Sequence, residues 1–162
     1  MTSQSLLKNK RILVVDDEPD VLRSLEDLLS GYDVTTASNF KDAEQLLRHR
    51  HFDVAVLDIM GVDGYKLLDV AAERKVMAAV LTAHAMTPKD TVRSFKKGAV
   101  SFLPKESMGD IVILLEELLE DAQKNRNPLV RWLERWGSYF DQKFGSEWKK
   151  EEGDFWERFP FV

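Results

Sequence analysis

An α/β fold built on one doubly wound, all-parallel sheet in three layers is what the sequence predicts, and three observations predict it. Five short apolar runs recur along the chain, each ending in polar residues. Between consecutive runs the apolar residues switch to the three-and-four spacing of a helix. The first, third and fourth runs are nearly unbroken Val, Leu, Ile and Ala, as strands covered on both faces are. Alternation of this kind, with right-handed crossovers, places helices on both sides of a parallel sheet.

The strands are read at Arg11 to Val15, Tyr32 to Thr36, Phe52 to Leu57, Val76 to Leu81 and Val100 to Leu103. Pro19 is tolerated in a first turn and opens a helix that carries Val21, Leu22, Leu25, Leu28 and Leu29 on one face. Asn39 with Asp42 starts the second helix, which buries Ala43, Leu46 and Leu47. Asp63-Gly64 reads as a turn leading into a third, with Tyr65, Leu67, Leu68, Val70 and Ala71. Thr87-Pro88-Lys89-Asp90 joins a capping threonine, a first-turn proline and an acidic residue three positions on, so the fourth helix starts there. Ser107 with Asp110 reads the same way for the fifth, which should run to about Asn125.

A chain of 162 residues has room for one well-filled domain and an appendage. The absence of cysteine excludes disulfide frameworks, thiolate zinc sites and thiol nucleophiles. No apolar run reaches the roughly 20 residues that cross a bilayer. Met1 to Lys10 lacks the apolar core of a secretory signal, so a cytoplasmic location is expected. The net charge is −5, and from Arg126 onward seven basic residues balance seven acidic ones, leaving the whole deficit in the first 125. Neither part carries a basic footprint for phosphates, so a nucleic-acid partner is not expected, and a membrane partner is not either.

In open parallel sheets, sites gather at the carboxyl ends of the strands. Those ends carry Asp16 and Asp17 after the first strand, Asp58 after the third, Thr82 after the fourth and Lys105 after the fifth. Three carboxylates at one edge repel one another, and a hard, oxygen-only cluster of this size suits Mg2+. A carboxylate can attack phosphorus to form an aspartyl phosphate, and the equatorial oxygens then need a metal, an ammonium and a hydroxyl. One such residue at a strand end is an ordinary solvated turn; four strand ends supplying different required parts are not.

Asp16-Asp17-Glu18-Pro19, Asp58 followed by Asp63-Gly64, Leu81-Thr82-Ala83 and Phe102-Leu103-Pro104-Lys105 resemble the signature of response-regulator receiver domains of two-component signalling, over about Lys10 to Asn125. The resemblance implies a flavodoxin-like sheet of order 2-1-3-4-5 and a phosphoprotein, not an enzyme in its own right, in a phosphorelay. Asp58 would take a phosphoryl group from a sensor histidine kinase. Asp17, with Asp16, Asp58 and the carbonyl of Met60, would hold Mg2+. Thr82 and Lys105 would bind the phosphoryl oxygens, and Phe102 would be the aromatic that swings inward as Thr82 closes. His84, two positions past Thr82, stands where the family carries residues that tune the phosphorylated state's lifetime, and is read as a surface histidine.

The sequence departs from that pattern in two places. The loop from Asp58 to Gly64 is about two residues short and lacks the customary proline, which displaces the expected position of the Met60 carbonyl. Lys105 is followed by Glu106 where the family has a cis proline, so the loop either keeps a cis bond or takes another path. Two rivals follow. One is a degenerate receiver that binds partners without being phosphorylated. The other is a metal-dependent phosphohydrolase, although that pattern wants two aspartates separated by one residue and here they are adjacent.

The chain is expected to divide into an arm, 1–9, a receiver, 10–125, and an aromatic-rich helical extension, 126–162, with output by protein contact. All four tryptophans and ten of the sixteen aromatics lie in the extension. Leu129, Leu133, Trp136, Phe140, Phe144 and Trp148 recur as one stripe that Trp132 and Tyr139 widen, while Gly137 and Gly145 weaken the helix. The stripe is expected either to pack on its own receiver or to form a homodimer or partner interface. Phe155-Trp156 and Phe159-Pro160-Phe161-Val162 read as a docking peptide.

Overall fold

The computed structural model describes residues 5–82 and 87–157. The five apolar runs form the strands β1 (Arg11–Val15), β2 (Asp33–Ala37), β3 (Val54–Asp58), β4 (Met77–Thr82) and β5 (Ala99–Pro104). They make one parallel sheet in the order β2-β1-β3-β4-β5. Every residue of β3 is buried, as is all of β4 after Met77. The register aligns the strand ends: Val15 pairs with Leu57, Asp58 with Leu81, and Thr82 with Pro104.

The helices are α1 (Pro19–Leu28), α2 (Phe40–His49), α3 (Gly64–Glu73), α4 (Pro88–Lys96), α5 (Ile111–Gln123), α6 (Pro128–Phe144) and α7 (Gly153–Glu157). The expected start signals operate. Asn39 Oδ1 accepts from the Asp42 N–H at 2.9 Å and Thr87 Oγ1 from the Asp90 N–H at 3.1 Å. Pro19 and Pro88 occupy first turns. One layer of core joins α2, α3 and α4 to the sheet through residues such as Leu47, Leu67, Leu68 and Val92. The other joins α1 and α5 through Leu25, Leu29, Leu114, Leu115 and Leu118, and Leu7 of the amino-terminal arm is fully buried with them.

The start of the fifth helix differs from expectation. Lys105–Asp110 is a 3-10 segment, Ser107 caps nothing, and α5 begins only at Ile111. Among the described residues no peptide bond is cis, so the loop takes another path. A residue before proline is pushed out of helical geometry; Lys105 precedes Glu106 and is free of that restriction, so the turn begins at Lys105 itself.

The extension folds back on its own sheet. Asn127 Oδ1 caps α6 by accepting from the Leu129 N–H at 3.0 Å, and the helix runs through Gly137 to a left-handed Gly145, φ 85°. Its buried residues are Leu129, Trp132 and Phe140, with Leu133 and Trp136 only partly buried, so the stripe is centred on Trp132 rather than beside it. Trp132 packs edge-on against Phe95 of α4 at 5.1 Å and Phe140 at 5.3 Å. Its Nε1–H donates to the carbonyl of Phe102 in β5 at 3.2 Å. Arg131 pairs with Asp121 at 3.2 Å and Arg135 with Glu117 at 2.6 Å, tying α6 to α5. Phe155 and Trp156 are buried in the same aromatic cluster, which removes them from the expected docking peptide. Its other half, 159–162, lies outside the described residues, as does His84.

Candidate functional site

The site is assembled where the strands end. After Val15, Asp16 is held twice: its N–H donates to Ala37 O at 3.2 Å, and its Oδ1 accepts from the Glu18 N–H at 2.9 Å. Asp16 is 1% exposed and Asp58, the last residue of β3, is 4% exposed, whereas Asp17 and Glu18 face outward. Thr82, the last residue of β4, is also buried. Lys105 leaves β5 with its ammonium 2.9 Å from Asp16 Oδ2, 2.9 Å from Glu18 Oε1 and 3.8 Å from Asp58 Oδ1. Carboxylate oxygens of Asp16, Asp17 and Glu18 lie within 4.8 Å of one another.

The electrostatics follow from crowding. Burial pushes the Asp58 carboxyl up, Asp16 beside it adds to the push, and Lys105 only partly opposes them, leaving Asp58 at about 7. Asp16 is raised too, by burial first, with Lys105 and the Glu18 N–H offsetting it. Burial alone would lower the Lys105 ammonium, but the Asp16 and Glu18 carboxylates outweigh it and hold it above its usual value. Three carboxylates around one ammonium, with Asp17 beside them, are short of positive charge. An all-oxygen donor set of this kind fits a hard divalent cation such as Mg2+.

The shortened loop reaches the site through two left-handed residues, Gly61 at φ 83° and Asp63 at φ 55°. The Gly64 N–H closes the loop by donating to Ile59 O at 3.0 Å. A Cβ on Gly61 would stand 2.4 Å from Asp17 Oδ2, so the backbone next to Met60 lies directly against the Asp17 carboxylate. The Met60 side chain points away, 72% exposed. A Cβ on Gly64 would meet Asp58 O at 2.2 Å, so glycine is required there by the strand end itself.

Of the residues singled out in the sequence, Asp16, Asp17, Asp58 and Lys105 come together, with Thr82 at the adjoining strand end. Phe102 does not join them. Its ring is buried beneath α6, 6.3 Å from both Trp132 and Phe140. Two contributors were missed. Glu18 shares the Lys105 ammonium, and its place third in an acidic run was the available signal. Gly61 makes the close approach to Asp17, which nothing local in the sequence announces.

A family model of the response regulator receiver domain matches residues 12–116. The chain belongs to that family. Its sheet order is that of the CheY-like receiver fold, and a CheY-like receiver domain protein from Methanospirillum hungatei superposes with a TM-score of 0.65 at 28% identity, covering 72% of this chain and 98% of that one. The alginate biosynthesis transcriptional regulatory protein AlgB of Pseudomonas aeruginosa is 40% identical over 112 residues, 64% of this chain and 24% of that protein. The response regulator protein PilR of the same species is 33% identical over 128 residues, 75% of this chain and 28% of that protein. This receiver chain thus spans about a quarter of the length of those two relatives. Receiver domains are signalling modules that sensor histidine kinases phosphorylate and that bind Mg2+ at an acidic pocket. In this receiver the acidic cluster is Asp16, Asp17 and Glu18. No helix among the described residues is long and apolar enough to cross a membrane.

Proposed function

We propose that this chain is a phospho-accepting response regulator in which Asp58 takes the phosphoryl group of a sensor histidine kinase and the result is passed on by protein contact. The observation that carries this reading is the placement of Asp58, buried at the end of the central strand, 3.8 Å from the Lys105 ammonium and flanked by Asp16. An Asp58 carboxylate oxygen attacks phosphorus in line, the new O–P bond forms as the P–N bond to the kinase histidine breaks, and the departing imidazole keeps the electron pair. Lys105 and the Thr82 hydroxyl take phosphoryl oxygens. Asp16, Asp17, Asp58 and the Met60 carbonyl are the groups that would hold Mg2+, which when bound supplies the positive charge this carboxylate cluster lacks. We further propose the division into an arm, 1–9, a receiver, 10–125, and an extension, 126–162.

Intact-protein mass after incubation with acetyl phosphate and Mg2+ tests the chemistry. A single phosphoryl adduct is expected, absent from Asp58→Asn and from a magnesium-free control. No adduct would replace this reading with that of a receiver that binds partners unphosphorylated.

The contact of Gly61 with Asp17 makes a second, smaller prediction. Gly61→Ala places a side chain at φ 83° and drives its Cβ into the Asp17 carboxylate, and is expected to cost about 1–2 kcal/mol. Because Asp17 must move to admit the methyl group, Mg2+ should also stabilise the variant less than the parent. Urea denaturation of both proteins with and without Mg2+ checks this; an equal gain from Mg2+ in the two would separate Gly61 from the metal site.

A further inference from the structure

We infer that the extension is the element that reads the state of Asp58, and that phosphorylation loosens its hold on β5; this rests on the phospho-accepting reading above. The connection is short and made of one strand. Lys105, which faces Asp58, follows β5 directly, and Phe102 lies three residues before it. Phe102 touches the extension twice, through its carbonyl to the Trp132 indole and through its ring to Trp132 and Phe140. β5 is also paired to β4 up to Thr82, opposite Pro104, so both residues that would bind the phosphoryl group anchor the strand that carries Phe102.

In the present state Lys105 is held by Asp16 and Glu18 at 2.9 Å each and stands farther from Asp58. A phosphoryl group on Asp58 is a stronger competitor for that ammonium than the single carboxylate it replaces. Redirecting Lys105 shifts the end of β5, and the 3.2 Å indole-to-carbonyl bond together with the ring contacts at Phe102 must adjust or break. Close-packed aromatic clusters answer such displacements by changing between discrete arrangements rather than by stretching. Phe102, fully buried and in contact with both Trp132 and Phe140, is thus the point at which a shift of β5 reaches the extension.

The chain carries its own reporter, because every tryptophan lies in the extension, at 132, 136, 148 and 156. Acrylamide quenching of tryptophan fluorescence in the full chain, with acetyl phosphate and Mg2+ and with the adduct quantified by mass in the same samples, tests the inference. Quenching is expected to rise by at least about twofold in proportion to the adduct, as burial gives way to a looser population, and to stay unchanged in Asp58→Asn. Stoichiometric adduct with unchanged quenching overturns the inference and leaves the phospho-accepting reading standing. No adduct overturns both. Linkage supplies a second measurement, since a coupled equilibrium must respond from either end. Trp132→Phe, which keeps a ring and removes the donor to Phe102, is expected to bind beryllofluoride with Mg2+ several-fold more tightly; unchanged or weaker binding counts against the coupling.

Discussion

Trp132→Ala is expected to lower the free energy of unfolding by about 3–5 kcal/mol, the range for emptying a buried aromatic site. Trp132 is 3% exposed and holds four rings in place: Phe95, Phe102, Phe140 and Trp156. Those rings belong to α4, β5, α6 and α7, so no single element can close the cavity by shifting alone. The truncation also strips the Phe102 carbonyl of its indole donor in a buried setting, which adds about 1–3 kcal/mol unless water enters. Against a total stability of about 5–15 kcal/mol the combined loss is large. Urea unfolding followed by far-ultraviolet circular dichroism measures it without relying on the residue removed. A loss under about 1 kcal/mol would contradict the docking of α6 on β5. Trp132→Phe should fall between, losing the donor and part of the packing.

Asp58→Asn is expected to stabilise the magnesium-free protein at pH 8 by about 2–4 kcal/mol, and to make no difference at pH 4. The folded protein holds the Asp58 proton up to about 7, against an ordinary 3.8. Between those values the unfolded chain has released the proton and the folded one has not, so stability falls as pH rises through the window and is level above it. Below about pH 4 both states are protonated, Asp58 is neutral as asparagine is, and the variants converge. Mg2+ should narrow the gap at pH 8, because a cation relieves the charge the asparagine removes. Urea titrations at pH 4, 6 and 8, with and without Mg2+, give the whole pattern. An asparagine variant no more stable than the parent at pH 8 would show that Asp58 is less crowded than its neighbours Asp16 and Asp17 imply.

The sheet was legible because its strands are covered on both faces and so read as unbroken apolar runs; β2, β3 and β4 were each placed a residue or two early, because the apolar runs begin before the backbone pairing does and the pairing carries on into the polar strand end at Asp58 and Thr82. The strand-end residues were legible for a related reason: a parallel sheet brings all its carboxyl ends to one side whatever the loops do. What the loops do was not legible. Ser107-Met108-Gly109-Asp110 has the spacing of a capping box, yet the 3-10 turn that starts at Lys105 claims those residues first. Neither the pairing of Lys105 with Glu18 nor the contact of Gly61 with Asp17 has a local cause, since each depends on segments far apart in the chain. In α6 apolar residues fall on several faces, so spacing alone could not say that Trp132 rather than Leu133 turns inward; the shape of β5 and α4 decides it.

The position of α6 along β5 has one more consequence. β5 ends the sheet, and a terminal strand exposes backbone donors and acceptors that can recruit the strand of another molecule. Two residues blunt it here: Pro104, which has no amide hydrogen to offer, and the Trp132 indole, which occupies the Phe102 carbonyl. Cutting the chain after Asn125 would leave a bare border of sheet beside an uncovered Phe95 and Phe102, a template for stacking copies edge to edge into aggregates. Light scattering of the shortened and full chains is expected to show aggregation confined to the shortened one, with α6 acting as the cover of that edge.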